Sequence, residues 1–265
     1  MSPTRTSPTT PEARVTLSVA DAVASVELSH PGKRNAFTWD MYDALEAACV
    51  EVRGRDDVRL MVIRGAGGAF AAGTDISQFA EFRTGDDGVA YERRVARVLD
   101  ALLAVEVPVL AVVQGPAVGA GLAVAACSDL VVATEDSVFG VPVARTLGNC
   151  LPPTVVARLQ RRLGTGRTMA MLLTSTLLSA TDAATAGFVT AVVPSEELEE
   201  TVAALSRRVL RGAPLTLAAL KEIDRRLAAD VAPADDLLLR CYGSADFAEG
   251  VHAFLEHRRP EWKGQ

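Results

Sequence analysis

Lysine is almost missing from this chain: only Lys33, Lys221 and Lys263 stand among its 27 basic residues. With 33 acidic residues the formal net charge is −6 and the pI about 5.2, so the basic footprint of a nucleic-acid binder is absent. A G+C-rich coding bias accounts for arginine in place of lysine without a functional cause. Histidine is equally scarce, with His30, His252 and His257. Two of these fall near the C-terminus, which leaves His30 as a remote candidate for a Ser–His–Asp arrangement. The four cysteines, Cys49, Cys127, Cys150 and Cys241, are scattered, in neither metal-ligand nor CxxC spacing. That pattern points to a reducing, cytoplasmic setting with no metal centre.

Several motifs are missing too. There is no G-x-G-x-x-G fingerprint, no phosphate loop, no G-x-S-x-G elbow and no internal repeat. Residues 1–13 are polar and rich in Pro and Thr, and read as a disordered tail without the apolar segment of a leader. Val107 to Ser128 carries no charge over 22 residues, long enough to suggest a membrane span. Pro108, Gly115, Pro116, Gly119 and Gly121 interrupt it, so it reads as buried strand, turn and buried helix.

What is present is the balance of a globular protein: 49% hydrophobic and 23% charged over 265 residues. Val15–Val19 and Ala22–Leu28 alternate as a hairpin. Thr38 is placed to cap a helix through about Arg53, followed by a strand at Val58–Ile63 and a polar helix near Val89–Leu103. Val109–Val113 and Leu130–Ala133 read as strands flanking a small-residue helix, Ala120–Cys127. Beyond Gly164 the pattern is helical apart from one strand at Phe188–Val193, with Pro214 and Pro233 near helix starts. The expected class is α/β: a core over 14–200 and a helical C-terminal domain over 201–265.

Two strand–glycine–helix junctions stand out, at Gly65–Asp75 and Gly115–Gly121. Each leaves backbone N–H groups unpaired at a helix start, and two such amides converging on one carbonyl oxygen make an oxyanion hole. Small residues also serve at such turns simply to let strand and helix pack closely, and spacing does not separate the two uses.

The ordered strings HPGKRNA (30–36), GGAFAAGTDI (67–76), VQGPAVGAG (113–121), CSD (127–129) and SADFAEGVHAFLEHRRPEWKG (244–264) resemble the enoyl-CoA hydratase/isomerase, or crotonase, family. The resemblance runs from about Val15 to Gly264. It implies a spiral core of ββα turns, a helical domain that assembles trimers or hexamers, and acyl-CoA thioesters as substrates in fatty-acid metabolism. Coenzyme A enters as part of the substrate, with no separate cofactor. The matching oxyanion amides are those of Thr74 and Ala120. Lys33, Arg34 and Ala36 match the CoA-binding turn, while Ala72, Asp75 and Ile76 match the pantetheine and thioester end. Lys221 and Phe254 lie on helices that reach a neighbour's CoA in relatives, although a solvated lysine and a core phenylalanine fit equally well.

One departure outweighs these matches. The two positions at which family hydratases carry glutamates are Ala123 and Val143 here, and neither moves a proton. No Asp or Glu occurs from Val107 to Ser128, nor from Ser137 to Thr181. The loop after Val143 offers Arg145, Asn149 and Cys150 instead. Arginine suits an anion clamp rather than a base, Asn149 a water or carbonyl, and Cys150 either a titrating thiol or an inert packed one. Asp75 and Glu81 lie beside the first junction, Asp75 reading mainly as a turn cap. The expectation is an acyl-CoA enzyme that stabilises an enolate but adds water poorly. The alternatives are a silent acyl-CoA-binding protein, or a decarboxylase or hydrolase on the same fold.

Overall fold

The strand pairs lay the foundation. In the computed structural model, which describes residues 12–212, 214–227, 239 and 242–261, β1 (Arg14–Ala20) and β2 (Val23–Ser29) form an antiparallel hairpin. Its turn is Asp21–Ala22, both at positive φ, so Ala22 belongs to the turn and not to the strand. Residues 1–11, most of the expected tail, lie outside the described residues, as do Cys241 and Pro233.

From β2 the chain spirals. Helix α1 (Trp39–Arg53) leads to β3 (Leu60–Gly65), and α2 (Gly85–Leu103) leads to β4 (Val109–Val113). Helix α3 (Ala120–Cys127) then leads to β6 (Leu130–Thr134), after the short β5 (Pro116–Val118). The main sheet has the order β1-β2-β3-β4-β6-β9, parallel after the first pair, where β9 is Ala191–Val193. A second sheet pairs β5 with β7 (Val138–Gly140), and β7 with β8 (Leu178–Ser179). These are the ββα turns that the resemblance implied. The charge-free stretch becomes β4, β5 and α3, and no helix among the described residues is long and apolar enough to cross a membrane.

Two expectations need correction. The run Phe188–Val193 is a strand only over its last three residues, because the Phe188 and Val189 N–H groups donate back to the Ala183 carbonyl rather than to a neighbouring strand. The helical region also contains the two-residue strand β8, too short to leave a period-two pattern.

Alternate strand residues face two cores. Met61, Ile63 and Ala111 join α1–α3 on one side, while Leu60, Val62, Leu110 and Val132 meet Leu198 and Val202 of α8 (Leu198–Leu210) on the other. In chain order α4 (Val143–Thr146), α5 (Pro153–Leu163), α6 (Thr165–Thr174) and α7 (Ala180–Thr185) come between α3 and α8, with α5 and α7 packed into the first core. Helices α9 (Pro214–Leu227) and α10 (Ala245–Leu255) are the last two among the described residues.

Three arginines of the acid-free region serve this frame. Arg162 donates to the carbonyls of Ala126 and Ser128 at the C-terminal end of α3, where a cation complements the helix dipole. Arg158 and Arg161 pair with Asp224 of α9, at 3.2 and 2.9 Å. Lys221 pairs with Asp129 at 2.8 Å and donates to the Val107 carbonyl, so it ties α9 to the base of β4 rather than projecting outward.

Candidate active site

Three chain segments lie side by side and build the site. Asn35, at positive φ, donates to the carbonyls of Ala66 and Ala69, and His30 Nδ1 contacts the Ala36 carbonyl at 2.7 Å, which fixes the 30–36 turn. His30 is thereby a turn residue and no part of a nucleophilic triad. The Ala72 N–H donates to Arg34 O, Phe37 N–H to Gly73 O, and Asp75 N–H to Phe37 O. On the far side Ala71 N–H donates to Pro116 O and Val118 N–H to Ala71 O, a parallel bridge that pairs Ala71 with Ala117.

That register decides the geometry. Three residues beyond Ala71 comes Thr74, and three beyond Ala117 comes Ala120. The residues just before them, Gly73 and Gly119, both have positive φ, and a Cβ on Gly119 would lie 3.4 Å from the Gly73 Cα. Two turns thus approach backbone to backbone, in left-handed conformations that side chains at these positions would strain. Neither the Thr74 nor the Ala120 N–H donates a hydrogen bond among the described residues. Each lines the same cavity of about 320 Å³, within the range of small-molecule sites.

The cavity wall is mostly apolar. Ala123 and Val143 are both part of it, so the two positions without glutamate do face the site. Lys33, Ala36, Ala72, Asp75 and Ile76 line it as well, and Phe254 stands half-exposed at its edge. Lys33 Nζ lies 3.3 Å from Asp75 Oδ1. Burial works to raise the Asp75 carboxyl, but the Ser77 hydroxyl and N–H together with Lys33 outweigh it and hold the group below its ordinary range. Asp75 also caps the 3₁₀ turn Ile76–Glu81.

Other candidates fall outside the wall. Arg34 is exposed, and what it gives the site is its backbone carbonyl. Glu81 is exposed on the 3₁₀ turn. Arg145 sits on the outer face of α4 in an adjoining groove with Phe254 and Arg258, and therefore does not clamp a group inside the cavity. Cys150 packs beside the Phe79–Tyr242 cluster with its sulfur 3.7 Å from Leu151 O. Of the polar residues in that loop, Asn149 lines the cavity; its Nδ2 donates to Tyr242 Oη at 3.1 Å, and its buried Oδ1 has no partner.

What sequence reading missed is a carboxyl group. Glu92 of α2 is 4% exposed and lines the cavity. It accepts a hydrogen bond from the Tyr242 hydroxyl. Burial is the main cause that raises its pKa to about 8; the Tyr242 O–H pulls it down and the nearby Cys150 pushes it up. Tyr242 reaches it because residue 88, one helical turn earlier, is glycine: a Cβ there would lie 1.7 Å from Tyr242 Cγ. A signal did exist. Gly88, Glu92, Val95, Leu99 and Leu102 form the buried stripe of α2, and Glu92 is the one charged residue in it.

The other two tyrosines gather at the same place. Tyr42 Oη lies 2.6 Å from Thr74 Oγ1, which lies 2.8 Å from Tyr91 Oη. These contacts hold the Thr74 side chain and so orient its backbone.

A spiral ββα core with two unpaired amides over an apolar cavity defines the class of the crotonase fold. The chain belongs to the enoyl-CoA hydratase/isomerase family, whose sequence profile matches residues 18–265. It is 32% identical over 252 residues to a probable enoyl-CoA hydratase of Rhodobacter capsulatus, across 93% of this chain and 96% of that protein. Among solved structures it superposes on an enoyl-CoA hydratase/carnithine racemase of Magnetospirillum magneticum with a TM-score of 0.78 and 30% identity, covering 95% and 96% of the two chains. A methylmalonyl-CoA decarboxylase in complex with 2-nitronate-propionyl-CoA gives a TM-score of 0.85 at 26% identity, covering 96% and 100%.

Proposed function

We propose that this chain is an acyl-CoA enzyme that holds the thioester carbonyl against the N–H groups of Thr74 and Ala120 and stabilises the enolate formed there. The observation that carries this reading is the pair of unpaired amides at matching register on one cavity. As negative charge develops on the carbonyl oxygen, two fixed donors in an apolar setting lower the barrier without reorganising. Lys33 and Arg34 flank the turn where the CoA nucleotide binds, and Ala72, Asp75 and Ile76 contact the pantetheine end. Coenzyme A belongs to the substrate, and the working assembly is a homotrimer or a dimer of trimers.

Water addition to an enoyl thioester needs one group to activate water and another to protonate carbon. With Ala123 and Val143 on the wall, that pair is incomplete, so hydration of crotonyl-CoA is expected to run far below that of a relative with two glutamates. A second reading draws on the likeness to methylmalonyl-CoA decarboxylase. Decarboxylation of a malonyl-type thioester needs an enolate holder but no base to start it.

Ala120→Pro tests the shared step. Ala120 is the first residue of α3, where proline fits the helix; its ring replaces the N–H with a methylene and so closes the donor position as well as removing the donor. Turnover of the best substrate from a panel of enoyl- and malonyl-type thioesters is expected to fall about 10²–10³-fold with the fold intact. Unchanged turnover in this variant would overturn the reading, and binding of the whole panel without any product would leave a silent acyl-CoA carrier.

A further inference from the structure

Glu92 is a buried carboxyl on the wall of the cavity that Thr74 and Ala120 also line, and the enolate-holding step gives it no task. Building a carboxyl into an apolar wall is costly unless it is partnered, and here the fold has made specific provision for it. Gly88 opens the space, Tyr242 fills it and donates to Glu92, and Asn149 of the loop after α4 donates to Tyr242. We infer that Glu92 is the proton carrier of this enzyme, exchanging a proton with the α-carbon of the bound thioester, and that Tyr242 is a positioning residue for it. The inference rests on the thioester reading above.

The step balances within the site. The Glu92 carboxylate takes a proton from Cα, and the C–H electron pair becomes the carbon–carbon double bond of the enolate. The carbonyl oxygen takes the negative charge against Thr74 and Ala120. Return of a proton from the Glu92 carboxyl to Cα restores the thioester. The ionisable groups around Glu92 are Tyr91 on its own helix, Tyr42 on α1, Tyr242 ahead of α10 and Cys150 in the loop after α4. The Lys33–Asp75 pair lines the same cavity. Burial raises all three tyrosines above their ordinary range, so they stay neutral as Glu92 titrates. A single carrier suits one-proton chemistry at Cα and leaves water addition without its second group.

The test is deuterium uptake at Cα of butyryl-CoA in heavy water, read by mass spectrometry beside calorimetric binding of the same thioester. The wild type is expected to exchange, with a rate that rises with pH to an inflection near 8. Glu92→Gln is expected to lose about a hundredfold or more while binding stays within about twofold. Glu92→Asp should keep part of the rate and the inflection. Tyr242→Phe should shift the inflection upward, because it removes a donor to the ionised form; a merely structural tyrosine would leave the inflection in place. Exchange by Glu92→Gln at the wild-type rate, or wild-type binding without exchange, overturns the inference alone. Should butyryl-CoA not bind, the same exchange is read on the thioester of the panel that binds best; failure of the wild type to bind any of them overturns the thioester reading and this inference with it.

Discussion

The chain has three tyrosines, and all three are spent on one site: Tyr42 and Tyr91 against the Thr74 hydroxyl, Tyr242 against Glu92. Thr74→Val keeps the shape of the side chain but removes the oxygen between two buried phenols. The two phenols keep each other as partners, so loss of the central oxygen costs about 0.5–1.5 kcal/mol. Chemical denaturation should show that loss, with turnover falling as the Thr74 amide loses its support. Glu92 predicts a dependence on pH. Below the ordinary glutamate value of 4.5, folded and unfolded chains both hold the proton and its burial carries no ionisation cost. Between there and about 8 the unfolded chain releases the proton while the folded one keeps it, so stability falls as pH rises. Thermal melts from about pH 5 to about pH 8 should therefore show the wild type losing ground to Glu92→Gln. A difference between the two that stays constant across that range would contradict the burial of an ionisable proton.

Helix α2 shows both how far the sequence is legible and where it stops. Strand β4 and helix α3 have the limits that their apolar runs and flanking breakers indicate, and Thr38 caps α1 as its position suggests. Strands β5, β7 and β8 are two or three residues long, too short for any periodicity, and exist through pairing partners distant in sequence. The oxyanion turns are visible as glycine clusters because backbone conformation is a local property. The carboxyl is not visible in that way: the acids beside those clusters are Asp75, which caps a turn, and the exposed Glu81, whereas Glu92 arrives from a helix that precedes the second cluster and packs across it. A charged residue within an apolar helical stripe is the mark that a three-dimensional site leaves on a linear sequence. The same stripe supplies a test at Gly88. In Gly88→Ala the new methyl meets the Tyr242 ring at its root, where it has no freedom to yield. Overpacking of this kind costs about 1–3 kcal/mol. Displacement of the ring also takes the hydroxyl from Glu92, so the inflection in α-exchange should move upward together with the loss of stability, and a stability loss with no such movement would separate Tyr242 from the proton carrier.

At the scale of the whole molecule, α9 has two faces with opposite characters. One face makes ion pairs: the largely buried Lys221 with Asp129, and the more exposed Asp224 with Arg158 and Arg161. The other carries Leu220, Ile223 and Leu227, 59%, 54% and 71% exposed, at the three- and four-residue steps of a single stripe. An acidic chain with a net charge of −6 has ample polar residues for a solvent-facing helix, so three large aliphatics in a row are better suited to contact with another surface. Such a stripe fits the trimer-based assembly proposed above, in which helices after the spiral meet their symmetry mates. Light scattering on the wild type should accordingly give the mass of a trimer or hexamer of 27.9 kDa chains. The double variant Ile223→Asp, Leu227→Asp leaves those ion pairs intact and should shift the mass toward the monomer, with circular dichroism unchanged. A wild type that is monomeric at tens of micromolar would refute the assembly. An oligomer indifferent to both substitutions would place its interface on some face other than α9.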